Sequence, residues 1–123
     1  MKIQTLWRVP PDLGEHGQAI WKRVGRELVK NESLDDLDRE TFETMCRSYD
    51  MMKVAALQMT TDGITVDGGR GVPKKHPAFA IWKTSHDSYV RLLALFGLSP
   101  ASRGVKVSPK EEKKDDGKSR FFK

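Results

Sequence analysis

The chain has 123 residues, 37% of them hydrophobic and 32% charged, which is enough for one modest core and too little for an elaborate active-site cleft. Its formal net charge of +5 favours an anionic partner, because clustered Lys and Arg release counterions from a phosphate backbone. No run approaches the ~18 consecutive apolar residues that span a bilayer, the segment from Met1 to Arg8 lacks the apolar core of a secretion signal, and Cys46 as the only cysteine excludes an internal disulfide or a cysteine-based zinc knuckle, so a soluble, intracellular protein is expected.

The first periodic segment follows Pro10-Pro11-Asp12 and predicts a helix from about Leu13 to Lys30. Leu13, Gly17, Ile20, Trp21, Val24 and Leu28 share one face, and Lys22, Arg26 and Lys30 fall on the opposite one. That basic stripe reads either as a nucleic-acid contact or as solvated charge diluted by Glu15 and Glu27. An acidic connector from Glu32 to Leu37 leads to Asp38, an N-cap candidate for a long helix from about Arg39 to Thr61, with Thr61-Asp62-Gly63 as its stop.

Through Phe42, Met45, Cys46 and Tyr49 this second helix is amphipathic, and Cys46 reads as a small core residue. Beyond Asp50 it becomes apolar on nearly every side. Met51, Met52, Ala55, Leu57 and Met59 are candidates for an interface between copies, since a helix apolar all round must be covered all round; a central helix of the monomer core is the alternative. Ile64-Thr65-Val66, Asp67-Gly68-Gly69-Arg70-Gly71 and Val72-Pro73 read as two short extended pieces around a glycine-rich turn or hairpin, without the lysine and hydroxyl residue of a nucleotide-binding loop.

A third helix is predicted from Ala78 to Phe96, with Ala78, Ile81, Trp82, Ser85, Tyr89, Leu92 and Phe96 on its core face and Lys83, Asp87 and Arg91 spaced to pair. Gly97 is placed to end it in a left-handed conformation with Leu98 folding back, and Ser99-Pro100 restarts the chain as an N-cap with proline at the first helical position. The reading is a mainly α fold with a three-helix domain over residues 1–103, a candidate for oligomerisation and DNA binding. Residues 104–123 read as a flexible charged tail. Phe121 and Phe122 at its end are either a docking anchor or without a role.

His16, His76 and His86 are far apart and show no metal-binding spacing, and Asp35, Asp36 and Asp38 lack the remainder of a calcium loop. There is no nucleophile elbow and no Walker pattern. No catalysis, metal or cofactor is expected.

From Pro10 to Arg103 the order of marks resembles the phage terminase small subunits. It comprises a proline and leucine before a tryptophan-bearing helix, an acidic residue opening a helix with Cys46 and Tyr49, a glycine-punctuated turn, Pro77 before the last helix, and a closing Gly97-Leu98-Ser99-Pro100-Ala101-Ser102-Arg103. His76 stands where the family often has asparagine, and Ser99 where threonine is frequent.

The resemblance implies a non-enzymatic adaptor in the cytoplasm of an infected bacterium. Such subunits bind double-stranded viral DNA near the packaging start site, assemble into rings, and deliver the DNA to the large terminase subunit, which carries the ATPase and nuclease. Charge and predicted exposure, not the family motif, nominate Lys22, Arg23, Arg26 and Lys30 for DNA contact, followed by Arg70, Lys74, Lys75, Arg103 and Lys106. Two other readings remain: a helix-turn-helix-like transcription regulator, which the acidic connector argues against, and a helical protein-interaction adaptor without nucleic acid.

Overall fold

The structure, a computed structural model, describes residues 1–104. In chain order it has α1 (Glu15–Lys30), a 3-10 turn (Asp36–Asp38), α2 (Arg39–Asp62), β1 (Thr65–Asp67), β2 (Pro73–Lys75) and α3 (Ala78–Leu95). The mainly helical architecture expected from the periodicity is the one found. The strands pair antiparallel, with Val66 opposite Lys74.

In the first compact unit, Met1–Leu92, α1 buries the face its period lays out, with Gly17, Ile20, Trp21, Val24 and Leu28 all buried; Leu13, expected as its first residue, is buried too but precedes the helix, which starts at Glu15. α2 supplies Phe42, Met45 and Cys46, none of them exposed. Trp21 and Phe42 meet with ring centroids 4.9 Å apart, and Trp7 joins them at 6.4 and 6.1 Å. Trp7 arrives from an extended N-terminal segment, and its carbonyl accepts the Trp21 indole N–H at 3.1 Å, so that buried donor is satisfied.

The same segment is tied to the α1–α2 connector, where the Ile3 N–H donates to the Leu34 carbonyl at 2.9 Å. Its approach to α1 depends on Gly25. A Cβ there would stand 2.8 Å from Leu6 and 3.1 Å from Phe42.

The helix ends are capped in ways that differ from simple local rules. Gly14, the N-cap of α1, has no side chain to offer; the cap comes from α2, whose Asp50 carboxylate accepts the Gly17 N–H at 2.9 Å. At the other end Ser33 N–H bonds Leu28 O at 2.8 Å and Glu32 N–H bonds Val29 O at 3.0 Å, with Glu32 left-handed at φ 55°. Asp38 does stand at the N-cap of α2, but its carboxylate turns back to the Asp35 N–H at 2.9 Å, closing a capping box with Asp35 around the 3-10 turn. The helical path therefore begins before Asp38.

Past Asp50 the core thins. Ala55 is buried, whereas Met51 and Leu57 are 49% and 61% exposed. α3 meets α2 through Tyr49 and Tyr89, with ring centroids 5.0 Å apart, and through a Ser48–Ser88 hydroxyl bond of 3.2 Å. Of the face expected to be core, Ala78 and Leu92 are buried, Trp82, Ser85 and Tyr89 are half-buried, and Ile81 is exposed. Periodicity identifies the apolar side of α3 but not whether a neighbour covers it.

The second unit, Leu93–Lys123, is described as far as Gly104. Gly97, at φ 73°, ends α3 with Gly97 N–H to Ala94 O at 3.0 Å and Leu98 N–H to Leu93 O at 2.9 Å. Ser99 and Ser102 then cap one another reciprocally, each backbone N–H 3.2 Å from the other's hydroxyl.

Two outcomes are expected. Replacing Asp50→Ala leaves the start of α1 uncapped and lowers stability by about 1 kcal/mol, read from urea unfolding with an unchanged slope. Burial pushes the Cys46 thiol up to about 12, with Glu43 adding to the shift, so Cys46 should resist alkylation in the folded protein at pH 8 and react once the protein is unfolded.

Candidate nucleic-acid interface

The exposed side of the amphipathic helix α1 carries a row of cations. Lys22, Arg26 and Lys30 recur every fourth residue on the exposed side of α1, so the row spans about 12 Å at ~1.5 Å per residue. None of the three has an ion-pair partner among the described residues. Arg23 lies off this row. It is close enough to Tyr89 that its charge opposes the upward shift of that hydroxyl, which burial causes and Tyr49 reinforces.

The N-terminal segment completes the surroundings of the row. A recess of about 440 Å³ between that segment and α1 is lined by Gln4, Thr5, Trp7, Lys22 and Arg26 among others. Gln4 and Thr5 thus bring amide and hydroxyl groups beside two of the cations. The sequence offers little signal for this, since an extended segment without periodicity reveals its neighbours only in three dimensions.

A second cationic group sits on the hairpin. Lys74 and Lys75 are exposed on β2, and Arg70 is exposed in the connection between the strands. The Asp67 carboxylate accepts the N–H groups of Gly69 at 2.8 Å and Gly71 at 3.2 Å, and Gly68 N–H bonds Val72 O at 2.6 Å. Lys75 Nζ lies 4.7 Å from the centroid of the Phe79 ring, a cation–π contact that partly occupies it.

His76 anchors this hairpin to both helices. Its Nδ1 accepts the Ala78 N–H at 2.9 Å, so the proton of the neutral ring is on Nε2, which faces Asp62 at 2.9 Å. Its own N–H donates to the Ile64 carbonyl at 2.8 Å. The imidazole performs the N-capping that an asparagine before Pro77 would perform.

Arg103 is otherwise engaged: its Nη1 donates to the Leu98 carbonyl at 2.8 Å. Lys106, Phe121 and Phe122 lie outside the described residues. Among the described residues no group of three His, Cys, Asp or Glu side chains is arranged to hold a metal ion. No helix among them is long and apolar enough to cross a membrane.

The candidate oligomer residues occupy the exposed half of α2, and they differ in environment. Met51 and Leu57 are exposed, Met52 and Met59 are half-buried, and Ala55 is buried. Beside them an apolar cleft of about 410 Å³ opens between α2 and α3, lined by Ala56, Met59, Thr60, Ile64, Phe79 and Trp82. Ala55 therefore belongs to the interior of the unit, while Met51 and Leu57 lie open to a neighbour.

Residues 17–113 match the model of a family described as phage terminase, small subunit. No curated protein and no solved structure matches significantly.

The doubly bonded His76 ring yields a paired stability test. His76→Ala should cost about 1 kcal/mol or more through the lost cap on α3, and His76→Asn should recover most of that loss, as measured by thermal unfolding. Equal losses in the two variants would exclude the capping role.

Proposed function

The chain belongs to the phage terminase small-subunit family, and we propose that it is the member that binds viral DNA at the packaging start site as a ring of identical copies and delivers it to the large subunit. Its place in phage DNA packaging follows from the family; the DNA contact, the ring and the delivery are the proposal. The chain acts without catalysis, leaving ATP hydrolysis and DNA cleavage to the large subunit, in the cytoplasm of the infected host.

One observation carries the DNA contact: the unpartnered row Lys22, Arg26 and Lys30 on the exposed side of α1. Cations without internal partners lose no ion pair when they meet phosphate, and each contact releases counterions. Arg23, Lys74 and Lys75 add positive field around the row and on the hairpin. In a ring the row recurs in every copy, so weak individual contacts are multiplied through effective concentration.

The ring is supported by the apolar surface past Asp50. Met51, Val54 and Leu57 are 49%, 43% and 61% exposed on α2, and on α3 Ile81 is 45% exposed. Exposed apolar side chains gathered along one helix are the kind of surface that an association between copies would cover. Met52 and Met59 border it with adaptable side chains.

A helix-turn-helix regulator fits less well. α1 and α2 are separated by residues 31–38, which include a capped 3-10 turn, and Asp35, Asp36 and Asp38 would present negative charge to phosphate where a recognition helix begins.

Replacing Lys22, Arg26 and Lys30 together by Ala should weaken duplex binding and reduce the slope of log affinity against log salt by about 0.9 per lost phosphate contact, hence by roughly 3. Unchanged affinity would remove α1 from the DNA surface. Leu57→Asp should lower the sedimenting mass while far-UV helicity persists; a collapse of helicity would make Leu57 part of the monomer core instead.

A further inference from the structure

We propose that the β1–β2 hairpin enters the major groove of double-stranded DNA and reads base edges through Arg70, with Lys74 on a flanking phosphate. This rests on the DNA-binding reading above and assigns it a second, sequence-reading element distinct from the phosphate row on α1.

The first support is conformational. Arg70 holds φ 55° between Gly69 at 113° and Gly71 at 75°. A left-handed residue with a Cβ costs about 1 kcal/mol or more relative to glycine, and this run already uses glycine on either side. A long cationic side chain thus stands at a position where the backbone would favour glycine. Among the described residues the other left-handed non-glycine residue, Glu32, ends a helix; Arg70 ends none. Strain held in place by its surroundings, here the two N–H bonds to Asp67, points to a role for the side chain it presents.

The second support is electrostatic. The hairpin's one acidic side chain, Asp67, spends an oxygen on the two turn amides. Arg70 and Lys74 have no side-chain partner among the described residues. The Lys74 stem lies against Gly68, where an added Cβ would come within 3.1 Å of it. Gly68 therefore leaves room for Lys74 to lie along the ribbon.

The third support is dimensional. A major groove about 12 Å wide and about 8.5 Å deep admits a two-stranded ribbon. Strands of the length of β1 and β2 reach about 10 Å at ~3.3 Å per residue, so a ribbon entering tip-first brings Arg70 to the groove floor. There its planar fork matches the paired acceptors of guanine. Lys74, further back on β2, then stands at the height of the backbone.

The test starts from duplexes with a randomised stretch, selected on the full wild-type chain. The enriched duplex and a scrambled one are then titrated with wild type, Arg70→Gly and Lys74→Ala at one salt concentration. Glycine suits φ 55°, so Arg70→Gly removes the side chain without straining the fold.

Arg70→Gly should bind the enriched duplex about tenfold or more weakly, the size of a lost bidentate base contact, and the scrambled duplex within about twofold of wild type. Lys74→Ala should weaken both duplexes alike. Retained preference in Arg70→Gly, equal loss on both duplexes, or a wild type that enriches no sequence would overturn the hairpin's assignment. Those outcomes leave DNA binding itself standing, whereas a wild type that binds no duplex at low salt would end both readings.

Discussion

Trp21 lies at the centre of a contact on which the rest of this small fold depends. It is 1% exposed, packs against Phe42 at 4.9 Å, and hands its indole proton to the carbonyl of Trp7. Burying one large aromatic contributes roughly 1.5–3 kcal/mol, and here three aromatics, Trp7, Trp21 and Phe42, meet in one cluster of the first unit. The N-terminal segment, α1, the connector and the first half of α2 all converge on them. A chain of this size has apolar surface for one such centre, so the far half of α2 and the start of α3 are left with little to bury against.

That uneven distribution organises the surfaces. The well-packed end fixes α1 rigidly, and with it the spacing of Lys22, Arg26 and Lys30. The thinly packed part leaves Met51, Leu57 and Ile81 exposed and holds an apolar cleft lined by Met59, Ile64, Phe79 and Trp82, with His76 pinning the hairpin to α2 and α3. The exposed cations of α1 and the exposed apolar residues of α2 thus lie on differently packed parts of one unit.

Much of this was legible in the residues, and the exceptions have physical causes. The buried face of α1 follows residue by residue from its period, because a helix alternating between core and solvent must repeat every 3.6 residues. Gly97 and Ser99 also behave as their local chemistry dictates, since caps act within a single turn. The Asp50 cap on Gly17 could not be read this way: its partners are 33 residues apart and meet only after α1 and α2 have packed. The N-terminal segment escaped for a similar reason, Trp7 being a lone aromatic in an aperiodic stretch. For Ile81, period gave the correct side of the helix, but coverage depends on neighbours. The run from Gly68 to Gly71 announced a turn without revealing that Arg70 would be among its left-handed residues.

Amide hydrogen exchange tests directly the division between the firmly packed part of the unit and the part with exposed apolar residues. At low protein concentration α1 and residues 39–50 should exchange slowly, while residues 51–62 of α2 and the start of α3 exchange quickly. Raising the concentration until copies associate should then slow exchange in residues 51–62. Uniform protection along the whole of α2 at low concentration, unchanged on association, would contradict it.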